Sequence, residues 1–138
     1  MSLKNFEMPG PSITPQETRY VLDVMNSGWY GKKKYFYVEK FEKEFAKFHS
    51  RKYGLMTTNC TQALHLILHS LGIKKGHNVV NQECTWAASA AAVLYTGAKN
   101  LFVDISNDHW CMSLESLKKK KNKNTKAVIS TGNKSKMQ

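Results

Sequence analysis

The stretch TTNCTQALH, residues 57 to 65, is a knot of hydroxyl, amide and thiol side chains between the apolar Tyr53, Gly54, Leu55 and Met56 and the apolar Leu64, Ile67, Leu68 and Leu71. A strand that only has to turn into a helix more often uses Gly, Pro or a single capping residue. Here Thr57 to Thr61 each offer a side-chain or backbone donor at a helix start. Asn59 or Thr61 can cap that helix, and the N–H groups of Cys60, Thr61 and Gln62 have no partner within it. Such a start suits an anion such as phosphate.

Outward from this point, short apolar runs alternate with helical ones. Strands are expected at Tyr53 to Thr57, Asn78 to Asn81, Leu101 to Ile105 and Ala127 to Ser130. Helices are expected at Thr61 to Leu71, Thr85 to Tyr95 and Ser113 to Lys120, with Gly72 and Gly97 as stops. Strands alternating with helices of about 10 residues imply βαβ units. The fold class is therefore α/β, a mainly parallel sheet between two helical layers. Upstream, Thr14, Pro15 and Glu17 form a capping-box start for a helix ending at Gly28. A second helix over Val38 to His49 carries Val38, Phe41, Phe45 and Phe48 on one stripe. Both are expected to pack on a core.

Ligands of open α/β sheets bind at the carboxyl ends of the strands. The second such end reads NQECTWAASA, residues 81 to 90, one large ring followed by small residues. A helix of small residues packs closely on a sheet, so the Trp86 ring is expected over the cleft, able to stack on a planar ligand. A core position for the ring is the alternative.

Composition sets bounds. The chain has 138 residues, 41% hydrophobic and 11% aromatic, which suits one folded domain or part of one. Cys60, Cys84 and Cys111 form no CxxC pair, so neither a disulfide framework nor a zinc site is indicated, and a reducing, cytoplasmic setting fits. No apolar run reaches the ~20 residues of a membrane helix. The net charge of +11 is concentrated in Lys32 to Lys34 and in Lys118 to Lys121 with Lys123 and Lys126. Neither run interleaves Arg with aromatics, so both read as solvated surface; a basic nucleic-acid or anion-binding α/β domain is the competing reading. His65 and His69 stand four apart, but Leu66 occupies the place of the acid in HExxH, and no metal role follows.

The segments in order resemble the DegT/DnrJ/StrS family of sugar aminotransferases, pyridoxal-phosphate enzymes of fold type I. The resemblance is carried by ITPQETRYVLDVMNSGW at 13 to 29, FEKEFAKFHSRKYGLM at 41 to 56, TNCTQALHLILHSLGIKKG at 58 to 76, CTWAASAAAVLYTGAKNLFVDI at 84 to 105 and HWCMSLESL…NTKAVIS at 109 to 130. It implies that Asn59, Cys60 and Thr61 cradle the phosphate of pyridoxal 5'-phosphate, that Trp86 stacks on its pyridine ring, and that Gly28 and Trp29 lie near the substrate mouth. It also implies a nucleotide-linked keto-deoxy sugar as substrate, glutamate as amino donor and a homodimer. Residues 1–52 then form an N-terminal helical segment, 53–130 part of the cofactor-binding large domain, and 131–138 a divergent or truncated tail.

Three departures stand out. Cys60 replaces a Gly. Asn81-Gln82 replaces an apolar residue and a Pro, and is expected at a turn and strand edge with local effects only. No lysine matches the Schiff-base position, so the chain by itself is expected to be catalytically inactive.

Overall fold

The computed structural model describes residues 10–27 and 34–132. It divides into two compact units, residues 1–56 and 57–138.

In the first unit, α1 spans Pro15–Ser27 and α2 spans Phe36–Phe48. The capping box forms as expected: the Thr14 N–H donates to Glu17 Oε2 at 2.7 Å, the Thr14 hydroxyl donates to the same oxygen, and the Gln16 N–H donates to Thr14 Oγ1 at 3.2 Å. The two helices touch where the Tyr37 hydroxyl donates to Asp23 Oδ2 at 2.6 Å. That bond, aided by desolvation and the negative charge of Asp23, holds the Tyr37 hydroxyl above its ordinary pKa.

The expectation of core-packed helices is not met within this unit. Helix α1 buries no residue and α2 buries only Ala46, leaving Phe41, Phe45 and Phe48 exposed. Two helices cannot close a core by themselves, because each has one apolar stripe and little to lay it against. The strand expected at Tyr53 to Thr57 is also absent; the Met56 N–H goes instead to Glu42 Oε1 at 2.8 Å. Beside it, Gly54 lies so near α2 that a Cβ there would stand 2.5 Å from the Glu42 carbonyl oxygen.

The second unit runs α3 (Cys60–Ser70), β1 (Asn78–Gln82), α4 (Ala87–Tyr95), β2 (Lys99–Val103), α5 (Leu114–Lys120) and β3 (Thr125–Ile129). The three strands are parallel in the order β2-β1-β3. The chain steps from β1 to β2 in one direction and crosses back over β1 to reach β3. Right-handed crossovers therefore place α4 and α5 on opposite faces, giving three layers.

Val79, with the half-buried Ala127 and Ile129, packs against Leu64, Leu68, Ile73, Ala92, Val93 and Ala98 from α3, α4 and the turns that follow them. The alanines of α4 allow this approach, and Ser89, Ala92 and Val93 are its buried positions. Gly72 and Gly97 end α3 and α4 at φ +71° and +75°, left-handed conformations that glycine adopts without strain.

Asn81 and Gln82 do not lie in a turn or an outer strand. They lie in the central strand and are buried, because β3 returns to pair with the flank of β1 that β2 leaves open.

Candidate functional site

A parallel strand and the helix after it run in opposite senses, so α4 starts at the carboxyl edge of the sheet. Seven residues separate the end of helix α3 from the start of β1, so α3 ends near the amino edge. Its 11 residues rise about 16 Å, close to the length of the strand, and bring its start back to the carboxyl edge. His65 and Tyr95 support this alignment, with ring centroids 5.6 Å apart near the far end of α4. Thus the starts of α3 and α4 share the edge at which open sheets bind ligands.

At the α3 start, Asn59 is the cap. Its backbone is extended and its Oδ1 accepts the Gln62 N–H at 3.0 Å. This corrects one expectation, since the backbone N–H of Gln62 is taken by the cap and is not left for a ligand. The Cys60 and Thr61 N–H groups meet no acceptor among the described residues. Thr58 braces the turn by donating its hydroxyl to Gln62 Oε1 at 2.6 Å, and the Thr57 hydroxyl donates to the Asn59 carbonyl at 3.1 Å. Cys60 is exposed and has negative φ, so its side chain does not obstruct its own amide.

At the α4 start, Trp86 occupies the cap position with extended backbone, and its ring is 79% exposed. The core position is thereby excluded for this ring. Two amides without partners among the described residues and an exposed indole on one sheet edge have the chemistry to suit a flat ring bearing a phosphate.

Below Trp86 the loops are joined through Gln82. Its Oε1 accepts the Thr131 N–H at 3.2 Å, and its Nε2 donates to the Cys84 carbonyl at 2.9 Å and, at a longer 3.5 Å, to the Trp110 carbonyl. The Thr85 and Thr131 hydroxyls lie 2.9 Å apart beside it. The sequence carried no signal for this role, because the burial of Gln82 follows from β3 returning beside β1.

Other candidates stand apart. Gly28 and Trp29 lie outside the described residues. His65 and His69 are joined by no third ligand, and among the described residues no group of three His, Cys, Asp or Glu side chains is placed to hold a metal. In the lysine run, Lys119 pairs with Glu115 at 2.7 Å, while Lys120 donates to the Phe102 carbonyl at 2.7 Å and lies 3.8 Å from Glu83. These contacts turn part of the run back onto the protein. No helix of the described residues is long and apolar enough to cross a membrane.

Residues 11–137 match the DegT/DnrJ/EryC1/StrS aminotransferase family. The chain is 40% identical to a GDP-perosamine synthase of Escherichia coli O157:H7 over 119 residues, which is 86% of the chain and 32% of that relative. Its structure resembles the aminotransferase from Psychrobacter cryohalolentis with a TM-score of 0.76 and 30% identity, over 89% of this chain and 31% of the other. It also resembles the E. coli GDP-4-keto-6-deoxy-D-mannose-3-dehydratase with bound hydrated PLP, with a TM-score of 0.77 and 25% identity, over 91% of this chain and 33% of the other. The chain thus spans about a third of the length of the relatives it matches.

Proposed function

The chain belongs to the DegT/DnrJ/EryC1/StrS aminotransferase family, and we propose that it forms the phosphate- and ring-binding part of a pyridoxal-phosphate sugar aminotransferase. The family is PLP-dependent. One observation carries the reading: the unpartnered Cys60 and Thr61 amides and the exposed Trp86 indole occupy the same sheet edge.

In this reading the Cys60 and Thr61 N–H groups and the Thr61 hydroxyl receive the phosphate, aided by the positive end of α3. Asn59 holds the first turn in shape and is itself engaged in capping. The Trp86 ring lies against the cofactor ring, fixes its plane and keeps water from one face. When bound, the cofactor supplies an electron sink for carbanion chemistry at the substrate carbon. We assign no covalent role to a lysine of this chain, and by itself the chain is expected to bind without transaminating.

The substrate we propose is a nucleotide-linked keto-deoxy sugar with glutamate as amino donor, acted on by a homodimer in the cytoplasm. Domain limits at residues 52 and 130 remain part of the same proposal.

Titration with inorganic phosphate and with pyridoxamine 5'-phosphate, followed by amide resonances, tests the site. Both ligands should move the Cys60 and Thr61 amides, and only the second should move the Trp86 indole N–H. Unmoved amides with both ligands refute the reading. A lysine adduct trapped by borohydride after PLP treatment, at one site and in stoichiometric yield, refutes the absence of a covalent role.

A further inference from the structure

We infer that Gln82 is a positioning residue for the Trp86 ring platform; this rests on the cofactor reading above. Gln82 is the last residue of the central strand and is 3% exposed. Its single side-chain amide reaches three segments at the carboxyl edge. It accepts from Thr131 after β3, donates to Cys84 two residues before Trp86, and donates to Trp110 after β2.

The Trp110 carbonyl belongs to a residue held at φ 55°, a left-handed conformation uncommon for a bulky side chain. Such a conformation persists where surrounding contacts fix it, and the Trp110 N–H bond to the Ser106 carbonyl at 2.9 Å and the Gln82 amide both act there. Trp86 has no side-chain cap bond of its own and is largely exposed, so little in its own surroundings sets the ring. The loop backbone sets it, and the Gln82 donation to Cys84 is the buried anchor of that loop.

The anchor acts on the ring subsite and leaves the phosphate subsite untouched. The α3 start is held by its own bonds among Thr57, Thr58, Asn59 and Gln62, none of which involves Gln82. A change at Gln82 therefore separates the two.

Two variants of the whole chain test this. Gln82→Leu removes both the donor and the acceptor. Gln82→Glu, ionised at mildly alkaline pH, keeps the acceptor for Thr131 but loses the donor to Cys84 and Trp110, and it carries the test if the Leu variant does not fold. The probes are inorganic phosphate and pyridoxamine 5'-phosphate, the latter free of the aldehyde that reacts with surface lysines. Both variants should bind phosphate within about twofold of the parent chain but bind pyridoxamine 5'-phosphate about tenfold more weakly, the scale of one aromatic contact. Amide exchange at Thr131 should quicken in the Leu variant and stay slow in the Glu variant.

Unchanged pyridoxamine 5'-phosphate affinity in a folded variant overturns the inference, as does an equal loss of both ligands. Failure of the parent chain to bind either ligand overturns the cofactor reading itself, a result that needs no variant to see.

Discussion

Asn81 and Asn100 meet across the β1–β2 pairing, with Asn81 Nδ2 donating to Asn100 Oδ1 at 2.5 Å. The register pairs Asn81 with Phe102, so the two amides meet on the diagonal of one face. Asn100 extends the link by donating Nδ2 to the Ala90 carbonyl on α4 at 3.0 Å. Asn81 is fully buried, and its Oδ1 has no donor among the described residues. A central strand thus carries a polar chain from sheet to helix with one acceptor unmet.

The two asparagines should therefore respond unequally to substitution. Asn100→Ala leaves the buried Asn81 amide without its acceptor and should destabilise by about 1–3 kcal/mol. Asn81→Val removes the unmet acceptor together with the donor and should cost less than about 1 kcal/mol. Asn81→Val in the Asn100→Ala background should then recover most of the loss. Urea denaturation of the three variants checks this, and equal, additive costs would contradict it.

Asn59→Asp separates capping from anion binding. The carboxylate still accepts the Gln62 N–H and adds a favourable charge at the helix start, so stability should hold or rise by about 0.3–1 kcal/mol. Affinity for inorganic phosphate should fall, because a like charge now stands beside the Cys60 and Thr61 amides. Calorimetric titration beside a thermal melt reads both effects. Tighter phosphate binding by this variant would place the anion elsewhere.

Trp86→Ala should leave the melting temperature close to that of the parent, since the ring is 79% exposed and such substitutions are usually within about 0.5 kcal/mol. Affinity for pyridoxamine 5'-phosphate should drop about five- to tenfold with phosphate binding retained. A collapse in stability would mean that the indole supports the fold.

Gly54→Ala should be costly although the site is partly open to solvent. The added carbon would meet the Glu42 carbonyl oxygen at 2.5 Å, an α2 backbone atom that cannot swing aside. A loss of about 1–3 kcal/mol is expected, together with faster exchange of the Met56 amide. No change in either would show that the 51–56 segment does not rest on α2.

Glu17 gives α1 a pH dependence. The Thr14 hydroxyl bond, then the Thr14 N–H bond, hold its carboxyl below the ordinary 4.5. A lowered folded-state pKa means the contribution is complete above 4.5 and fades as pH falls through the lower folded value. Amide resonances of Gln16 and Thr18 followed into acid should show α1 loosening in that window. Glu17→Gln should flatten the transition.

The helix starts were legible in the sequence because capping is local chemistry: Thr14 with Glu17, Asn59 with Gln62 and Ser113 with Ser116 each act within three residues. The alternation of Asn78–Gln82, Ala87–Tyr95 and Lys99–Val103 was legible from period alone, to within a residue or two at each end. What was not legible depends on strand order. Asn81 and Gln82 read as edge residues until β3 is known to cross back beside β1, and only then do their amides become buried and paired with Asn100, Thr131 and Cys84. The stripe of Phe41, Phe45 and Phe48 was found correctly, but periodicity does not show what lies over it.

The flanks of the three-stranded sheet bear on how the chain behaves in concentrated solution. Among the described residues β3 pairs with β1 alone, and along it the exposed Val128 follows the exposed Lys126. An outer strand with unsatisfied backbone groups invites side-by-side association, and charges along it are the usual deterrent. Lys126 then acts as a gatekeeper: replacing it with Val would convert the border into a continuous sticky ribbon and lower the concentration at which the protein precipitates.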